Sequence, residues 1–120
     1  MASDINSVVI QGTMVRDPLF KTIPSGTNLC NFSIACNRYF KRGDGFEKEA
    51  SFFDVQCWAA LAQDVIENGK KGVRVEISGR LKQERWADNQ GQNRSRVLIV
   101  AESVKYSDDR QKAESEAYPF

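Results

Sequence analysis

The dominant hydrophobic period along this chain is two residues, which is the period of β-strands. Between positions 29 and 37, for example, Cys30, Phe32, Ile34 and Cys36 share one face, and small or polar side chains occupy the other. A shorter arm with the same character begins at Phe20. The alternation predicts five strands, within residues 7–12, 29–37, 50–58, 73–86 and 94–104.

One segment departs from this period. Residues 59–67 contain good helix formers, place Leu61 and Val65 on one side, and precede an Asn68-Gly69 stop signal. Residues 40–48 are polar and rich in glycine, which predicts a mobile loop. From about residue 107 no period remains, so we expect a domain at 1–106 and a flexible, acidic tail at 107–120.

Five strands with one short helix between the third and the fourth predict an all-β fold. Gly12 and Gly79 lie inside predicted strands, where glycine usually marks a bend or bulge at a barrel corner. The five-stranded, partly open Greek-key barrel known as the oligonucleotide-binding (OB) fold fits this pattern. On the pattern alone, a small β-barrel of another topology is the alternative.

The third predicted strand has an unusual second face. Its odd positions are apolar, whereas its even positions carry Phe52, Asp54, Gln56 and Trp58. A buried carboxylate or amide needs hydrogen-bond partners, so core faces rarely mix these groups with aromatic rings. We therefore predict that this face meets solvent and exposes its two rings.

Two further aromatic residues lie among cations. Trp86 ends a strand face that carries Arg74, Arg80 and Lys82, and Phe40 lies in a basic segment. The cations near Phe40 and on the arm opposite Trp86 are Arg38, Lys41, Arg42, Lys48, Arg94 and Arg96. Exposed rings stack on bases and cations neutralise phosphates, so the combination is typical of a surface that binds an unpaired nucleic-acid strand.

Each feature also has a simpler interpretation. The exposed rings could form a protein–protein interface, Trp86 could clamp its hairpin by cross-strand packing, and the charges at 40–48 could belong to an ordinary solvated loop. The coincidence of all three features on one barrel favours nucleic-acid binding over these separate interpretations. An RNA ligand is as compatible with these residues as DNA. Asp54 and Glu84 are the obvious carboxylates on this surface, but no acid/base or metal-ligand motif surrounds them, so we predict binding rather than catalysis.

Composition narrows the function classes further. The chain has 120 residues and no histidine, which excludes His-based catalytic systems and His-containing zinc sites. Three cysteines without a Cys-x-x-Cys pair argue against a disulfide framework or a thiolate metal cluster. The first residues lack the pattern of a secretion signal, and no stretch approaches a membrane helix. We expect a soluble cytoplasmic protein that needs no cofactor.

The net charge of +1 conceals an uneven distribution. Residues 1–107 carry 15 Lys and Arg against 12 Asp and Glu, whereas residues 108–120 carry two cations and four acids. A modestly basic barrel is thus joined to an acidic tail, and the total charge hides the basic surface.

Several ordered segments resemble bacterial single-stranded DNA-binding proteins. They are NSVVIQGTMVRDP at 6–18, FSIACN at 32–37, FFDVQCW at 52–58, KGVRVEISGRL at 71–81 and WADNQGQNR at 86–94. The resemblance implies an OB fold and a homo-oligomer, with a homotetramer expected in preference to a dimer. It also implies a nucleoid-associated protein that coats single-stranded DNA in replication, recombination and repair. It implies base stacking at Phe40, Phe52, Trp58 and Trp86, and phosphate contacts at Lys21, Lys71 and Arg85, with Lys41, Arg42 and Lys48 in a long hairpin.

The C-terminus is similar to the same family, with departures. Its relatives usually end in a long linker and an acidic tip that finishes in Pro-Phe and recruits replication and repair proteins. Here the linker is almost absent and two cations dilute the acid, so we expect a specialised or phage-borne paralogue. We expect the Pro119-Phe120 end to dock a partner protein, with an arbitrary chain end as the alternative. The residues that the resemblance assigns to partner binding are Glu114, Glu116, Tyr118, Pro119 and Phe120.

Overall fold

The computed structural model describes residues 2–107. It contains six strands and one helix within that range. In chain order these are β1 (Val8–Met14), β2 (Leu19–Thr22), β3 (Asn28–Arg42), β4 (Gly45–Trp58), α1 (Ala59–Asn68), β5 (Arg74–Ala87) and β6 (Asn93–Ser107).

Five of the strands close into a barrel. The order of neighbours is β1-β5-β6-β4-β3, and β1 also pairs with β3, which completes the ring. The short β2 adds to the outer edge of β3 by antiparallel pairing. The predicted five-stranded OB barrel is therefore confirmed. The arm that begins near Phe20 forms a strand of its own, so the helix follows the fourth strand rather than the third.

The barrel interior is filled by the alternating residues that the period singled out. Cys30, Phe32 and Ile34 of β3 are at most 4% exposed, and Val55 and Cys57 face them from β4. These residues belong to one apolar cluster with residues from every barrel strand and from α1. The core face predicted for the strand at residues 29–37, which is part of β3, is confirmed.

A bulge changes the face of β6 that points inward. Ser78 pairs with Ser103 while Gly79 pairs with Ala101, so Glu102 is an extra residue on β6. Before the bulge, the inward-facing residues of β6 have odd numbers, as Ala101 does. After the bulge, the inward-facing residues have even numbers. A Cβ added to Gly79 would overlap the carbonyl oxygen of Val100, so only glycine allows the strands to approach this closely.

The loop that the polar composition predicted at residues 40–48 is wrong, whereas the long hairpin that the resemblance implied is present. Strand β3 continues to Arg42 and β4 begins at Gly45, so this segment forms the end of a long hairpin. Gly43 and Asp44 form the turn, and Gly43 has a φ of 60°, which suits the first position of a type II′ turn. The polar composition misled the prediction because both faces of this arm extend beyond the core and therefore show no apolar alternation.

Helix α1 packs over the barrel at the end of β4. Its fully buried residues are Ala62 and Val65, and Leu61 packs against the core from its edge. The predicted end at Asn68-Gly69 is confirmed, since the Gly69 N–H donates to the carbonyl of Val65. At ten residues, the helix within the described range 2–107 is too short to span a bilayer.

Two buried thiols in the core make the free energy of unfolding depend on pH in the alkaline range. Cys30 and Cys57 lie directly opposite each other on β3 and β4, and both are fully buried. Burial raises the pKa of the Cys30 thiol from 9.0 to about 11 and that of Cys57 to about 12. In the unfolded chain both thiols ionise near their ordinary pKa, so the unfolded state gains stability first as the pH rises.

We expect the free energy of unfolding to fall between about pH 9 and pH 12. At pH 10.5 each thiol contributes a loss of about 2 kcal/mol relative to pH 8, given 1.36 kcal/mol per pKa unit. Urea unfolding of the protein and of Cys57→Ala measures this, with Cys36→Ala as the control for a half-buried thiol. An identical loss in the wild type and in Cys57→Ala would contradict the assignment.

Candidate nucleic-acid interface

Many of the predicted site residues lie on one surface built by β2, β3, β4, β5 and β6, which we call the outer face. Residues paired in register on neighbouring strands point to the same side, so the pairing identifies its members. Going outward from β4, it comprises Phe52, Asp54, Gln56 and Trp58 of β4, Leu29, Asn31, Ser33 and Ala35 of β3, Leu19 and Lys21 of β2, Arg94, Arg96, Leu98 and Val100 of β6, and Arg80, Lys82, Glu84 and Trp86 of β5.

Three of the four predicted stacking residues lie on this outer face. Phe52 is 66% exposed and Trp86 is 47% exposed. Trp58 is half-buried, and its Nε1–H donates to Oε1 of Gln56 at 2.9 Å, which fixes the plane of the indole. Gln56 was expected to meet solvent, but it is only 4% exposed. Its amide is tolerated there because the indole supplies a hydrogen-bond partner.

Phe40 lies apart from the other three rings. The uninterrupted β3–β4 register pairs it with Glu47 and places it on the opposite side of the hairpin from Phe52. The guanidinium of Arg38 lies 4.7 Å from the centre of the Phe40 ring, and Arg38 also faces Glu49 at 3.6 Å. A cation therefore covers the ring that was predicted to stack on a base.

The predicted phosphate-binding cations divide into two groups. Four arginines form ion pairs with carboxylates: Arg38 with Glu49, Arg42 with Glu47, Arg94 with Asp88, and Arg96 with Glu84 and Asp54. The others have no carboxylate within 4.0 Å among residues 2–107, and they are Lys21, Lys41, Lys48, Lys71, Arg74, Arg80, Lys82 and Arg85.

The outer face holds most of the unpaired cations. Lys21, Arg80 and Lys82 lie on it directly, and the register of the long hairpin places Lys41 and Lys48 on the same side as Phe52. These charges share the outer face with the exposed rings. An anionic chain lying on this face would meet cations that have no carboxylate partner in the described part of the chain, residues 2–107.

Three other predicted cations lie elsewhere. Lys71 is in the turn before β5, where its backbone N–H donates to Asp17. Arg74, at the start of β5, pairs in register with Thr13, and its Nη2 donates to Gln11 at 3.3 Å. Arg85 lies on the other side of the β5–β6 hairpin but lines the depression beside Trp86. The structure does not bring Lys71 or Arg74 together with the rings.

A groove of about 230 Å³ crosses the middle of the outer face. Asn31, Ser33, Asp54 and Arg96 supply its polar wall, and Leu98 lies at its base. Ser33 donates to Oδ1 of Asp54 at 2.7 Å. No cluster of three or more His, Cys, Asp or Glu able to hold a metal ion occurs within residues 2–107. The groove thus offers hydrogen-bonding groups beside the stacking rings.

The sequence did not indicate every member of this surface. Arg16 and Leu19 line the groove from the β1–β2 connection and from β2, and Leu19 is 67% exposed. Phe46 is 52% exposed and pairs in register with Lys41. Phe46 was missed because its segment was interpreted as a loop, and a two-residue Gly43-Asp44 turn between the arms was the available signal.

The predicted partner-binding residues lie outside the described residues. They are Glu114, Glu116, Tyr118, Pro119 and Phe120. Strand β6 ends at Ser107, seven residues before Glu114 in the sequence.

Comparison with known proteins covers the whole barrel. The model of the single-strand binding protein family matches residues 5–107. Single-stranded DNA-binding proteins of Aquifex aeolicus and Treponema pallidum are 38% identical over 114 residues and 39% identical over 103 residues. These alignments cover 94% and 86% of this chain, and 77% and 58% of those proteins. Single-stranded DNA-binding protein 1 of Clostridium acetobutylicum is 34% identical, over 91% of this chain and 99% of its own length.

A solved structure has the same fold. A chain described as Plasmodium falciparum SSB complex with ssDNA superposes with a TM-score of 0.79 at 19% identity, over 90% of this chain and 99% of that one. The family pattern spans every strand that builds the outer face, and the relatives align along most of the same residues. The chain belongs to the single-strand binding protein family.

Proposed function

We propose that this protein binds single-stranded DNA through the outer face, without base specificity. The observation that carries the proposal is the set of exposed rings, Phe52 and Trp86 with the half-buried Trp58, surrounded by cations that have no carboxylate partner in residues 2–107. The rings accept any base, because every base has an aromatic face. Duplex DNA keeps its base faces stacked inside, so the rings favour an unpaired strand.

The remaining predicted contacts are weaker parts of this proposal. Phe40 would first have to release Arg38 before a base could stack on it, and the four paired arginines would have to exchange a carboxylate for a phosphate. Lys71, Arg74 and Arg85 would serve a strand that continues around the barrel. Family membership and the names of the relatives support DNA as the ligand.

The surface supports binding rather than catalysis. Asp54 is engaged by Ser33 and Arg96, and Glu84 is engaged by Arg96. A general base needs a carboxylate that is free to take a proton, whereas these two act as partners of a guanidinium. We therefore propose a binding protein without enzymatic activity.

The wider role is proposed from the family resemblance. It comprises a homo-oligomer, a homotetramer in preference to a dimer, acting in replication, recombination and repair, with partner proteins recruited by the Pro119-Phe120 end. Light scattering combined with a length series of oligonucleotides measures the oligomer and the site size. Loss of a partner interaction on deletion of residues 114–120 would test the recruitment.

Titration with oligo-dT tests the proposed function. The chain has two tryptophans, Trp58 and Trp86, and both lie on the outer face. We expect oligo-dT to quench their emission, and the affinity to fall with salt by a log-log slope of about −0.7 per phosphate contacted. Duplex DNA should compete poorly.

The outcomes separate the alternatives. Unchanged emission together with no gel shift at low salt would overturn the proposal and favour a protein-interaction surface. Equal or better competition by an RNA oligomer of the same length would favour RNA as the ligand.

A further inference from the structure

Arg96 is the one outer-face cation within residues 2–107 that two carboxylates hold together. Its Nε and Nη2 both lie 2.9 Å from Oε1 of Glu84, and its Nη1 lies 3.8 Å from Oδ2 of Asp54. The two acids come from different strands, β5 and β4. The guanidinium therefore bridges three strands in the middle of the surface that we propose binds DNA.

This arrangement differs from the arginine pairs at the end of the long hairpin. The side chains of Arg38 and Glu49 are 65% and 58% exposed, whereas those of Arg96 and Glu84 are 46% and 29% exposed. Less exposed pairs are screened less by solvent and salt. Arg96 is consequently neutralised more effectively than the hairpin arginines.

The carboxylates also lie where a bound strand would pass. Asp54 and Arg96 line the central groove, and Glu84, Trp86 and Arg96 line the adjoining depression. A phosphate that approaches Arg96 must displace Glu84 from the guanidinium and meets repulsion from both acids. A guanidinium binds phosphate and carboxylate with the same donor geometry, so the two compete directly.

We propose that Glu84 and Asp54 are internal competitors of the DNA phosphate for Arg96, and that they hold the affinity of the outer face below the level its cations alone would provide. The inference rests on the proposed function. It assigns these acids a role that base stacking and phosphate neutralisation do not include, which is to weaken binding and allow a bound strand to be released.

The test compares Glu84→Gln with Glu49→Gln by oligo-dT titration at 50 and 300 mM NaCl. Both variants remove one negative charge from an arginine pair, but Glu49 faces Arg38 on the opposite side of the hairpin from Phe52. We expect Glu84→Gln to raise the affinity by about three- to tenfold at 50 mM salt. Its log-log salt slope should become more negative by about 0.7, which corresponds to one additional phosphate contact. Glu49→Gln should raise the affinity by less, under about twofold, because the more exposed Arg38–Glu49 pair is already screened by solvent and salt.

A second pair of variants identifies Arg96 as the residue through which Glu84 acts. Asp54→Asn keeps an oxygen that can accept from Ser33 and should raise the affinity in the same direction. In an Arg96→Gln background, Glu84→Gln should lose most of its effect on DNA affinity, because the guanidinium for which carboxylate and phosphate compete is absent. Thermal unfolding of each variant records whether the barrel is intact.

Each outcome has a distinct meaning. Failure of the wild type to bind oligo-dT would overturn the proposed function itself. Normal wild-type binding with equal effects of Glu84→Gln and Glu49→Gln would overturn only this inference. A lower affinity of Glu84→Gln accompanied by a lower melting temperature would show that the bridge supports the barrel instead, and would also overturn it.

Discussion

Replacing Trp86 by alanine is expected to weaken binding to oligo-dT by about 10- to 100-fold, with little effect on the stability of the fold. A stacked base contributes roughly 1–3 kcal/mol, and each 1.4 kcal/mol corresponds to a tenfold change in affinity. Trp86 is 47% exposed and does not belong to the apolar core cluster. Substitutions at such positions usually change stability by no more than about 0.5 kcal/mol.

The same hairpin provides a matched control. Val97 is 59% exposed and pairs in register with Gln83, on the side of the hairpin away from Trp86. Val97→Ala should leave the affinity unchanged, and Trp86→Phe should retain part of it because a ring remains. If Trp86→Ala lowers the melting temperature by ten degrees or more and binds DNA normally, the side chain clamps the hairpin instead.

Replacing Gly79 by alanine is expected to destabilise the barrel by about 3 kcal/mol or more. The added Cβ would overlap the carbonyl oxygen of Val100 and lie 3.0 Å from the Cα of Ala101. Both are backbone atoms of a strand held by antiparallel pairing on one side and by parallel pairing to β4 on the other. Overpacking usually costs 1–3 kcal/mol, and here no flexible side chain can move to relieve it.

Urea denaturation of Gly79→Ala and Gly45→Ala measures this effect. Gly45 lies at the start of β4, where an added Cβ would meet nothing within 4 Å, so its substitution should change stability by less than about 1 kcal/mol. An unchanged urea midpoint for Gly79→Ala would mean that β5 and β6 do not approach as closely as the bulge at Glu102 implies.

Much of the fold and of the site was predictable from local pattern. The alternation of Cys30, Phe32 and Ile34 predicted an inward face, and these residues fill the barrel. The mixture of aromatic and polar side chains on one face of β4 predicted exposure, which Phe52 has at 66%. These predictions work because a strand sends successive side chains to opposite sides, whatever the rest of the fold does.

Other features depended on partners that the local pattern does not contain. Phe40 looked like Phe52, a ring among cations, yet the hairpin register places it on the other side beneath Arg38. Gln56 looked exposed, yet the indole of Trp58 allows it to be buried. Cross-strand neighbours decide such cases, and they are fixed by turn geometry and register rather than by composition.

The sequence by itself determined the fold class, an all-β barrel with one helix. It also determined the chemistry of the binding surface, a strand face with aromatic rings beside cations. Period-two alternation and aromatic placement are local properties, so they survive without knowledge of the fold. Only the tertiary structure decided which cations within residues 2–107 are paired with a carboxylate and which are left to bind a phosphate. Arg96 meets Glu84 and Asp54 because β6 lies between β5 and β4, and charge pairing depends on distances between strands that are remote in the chain.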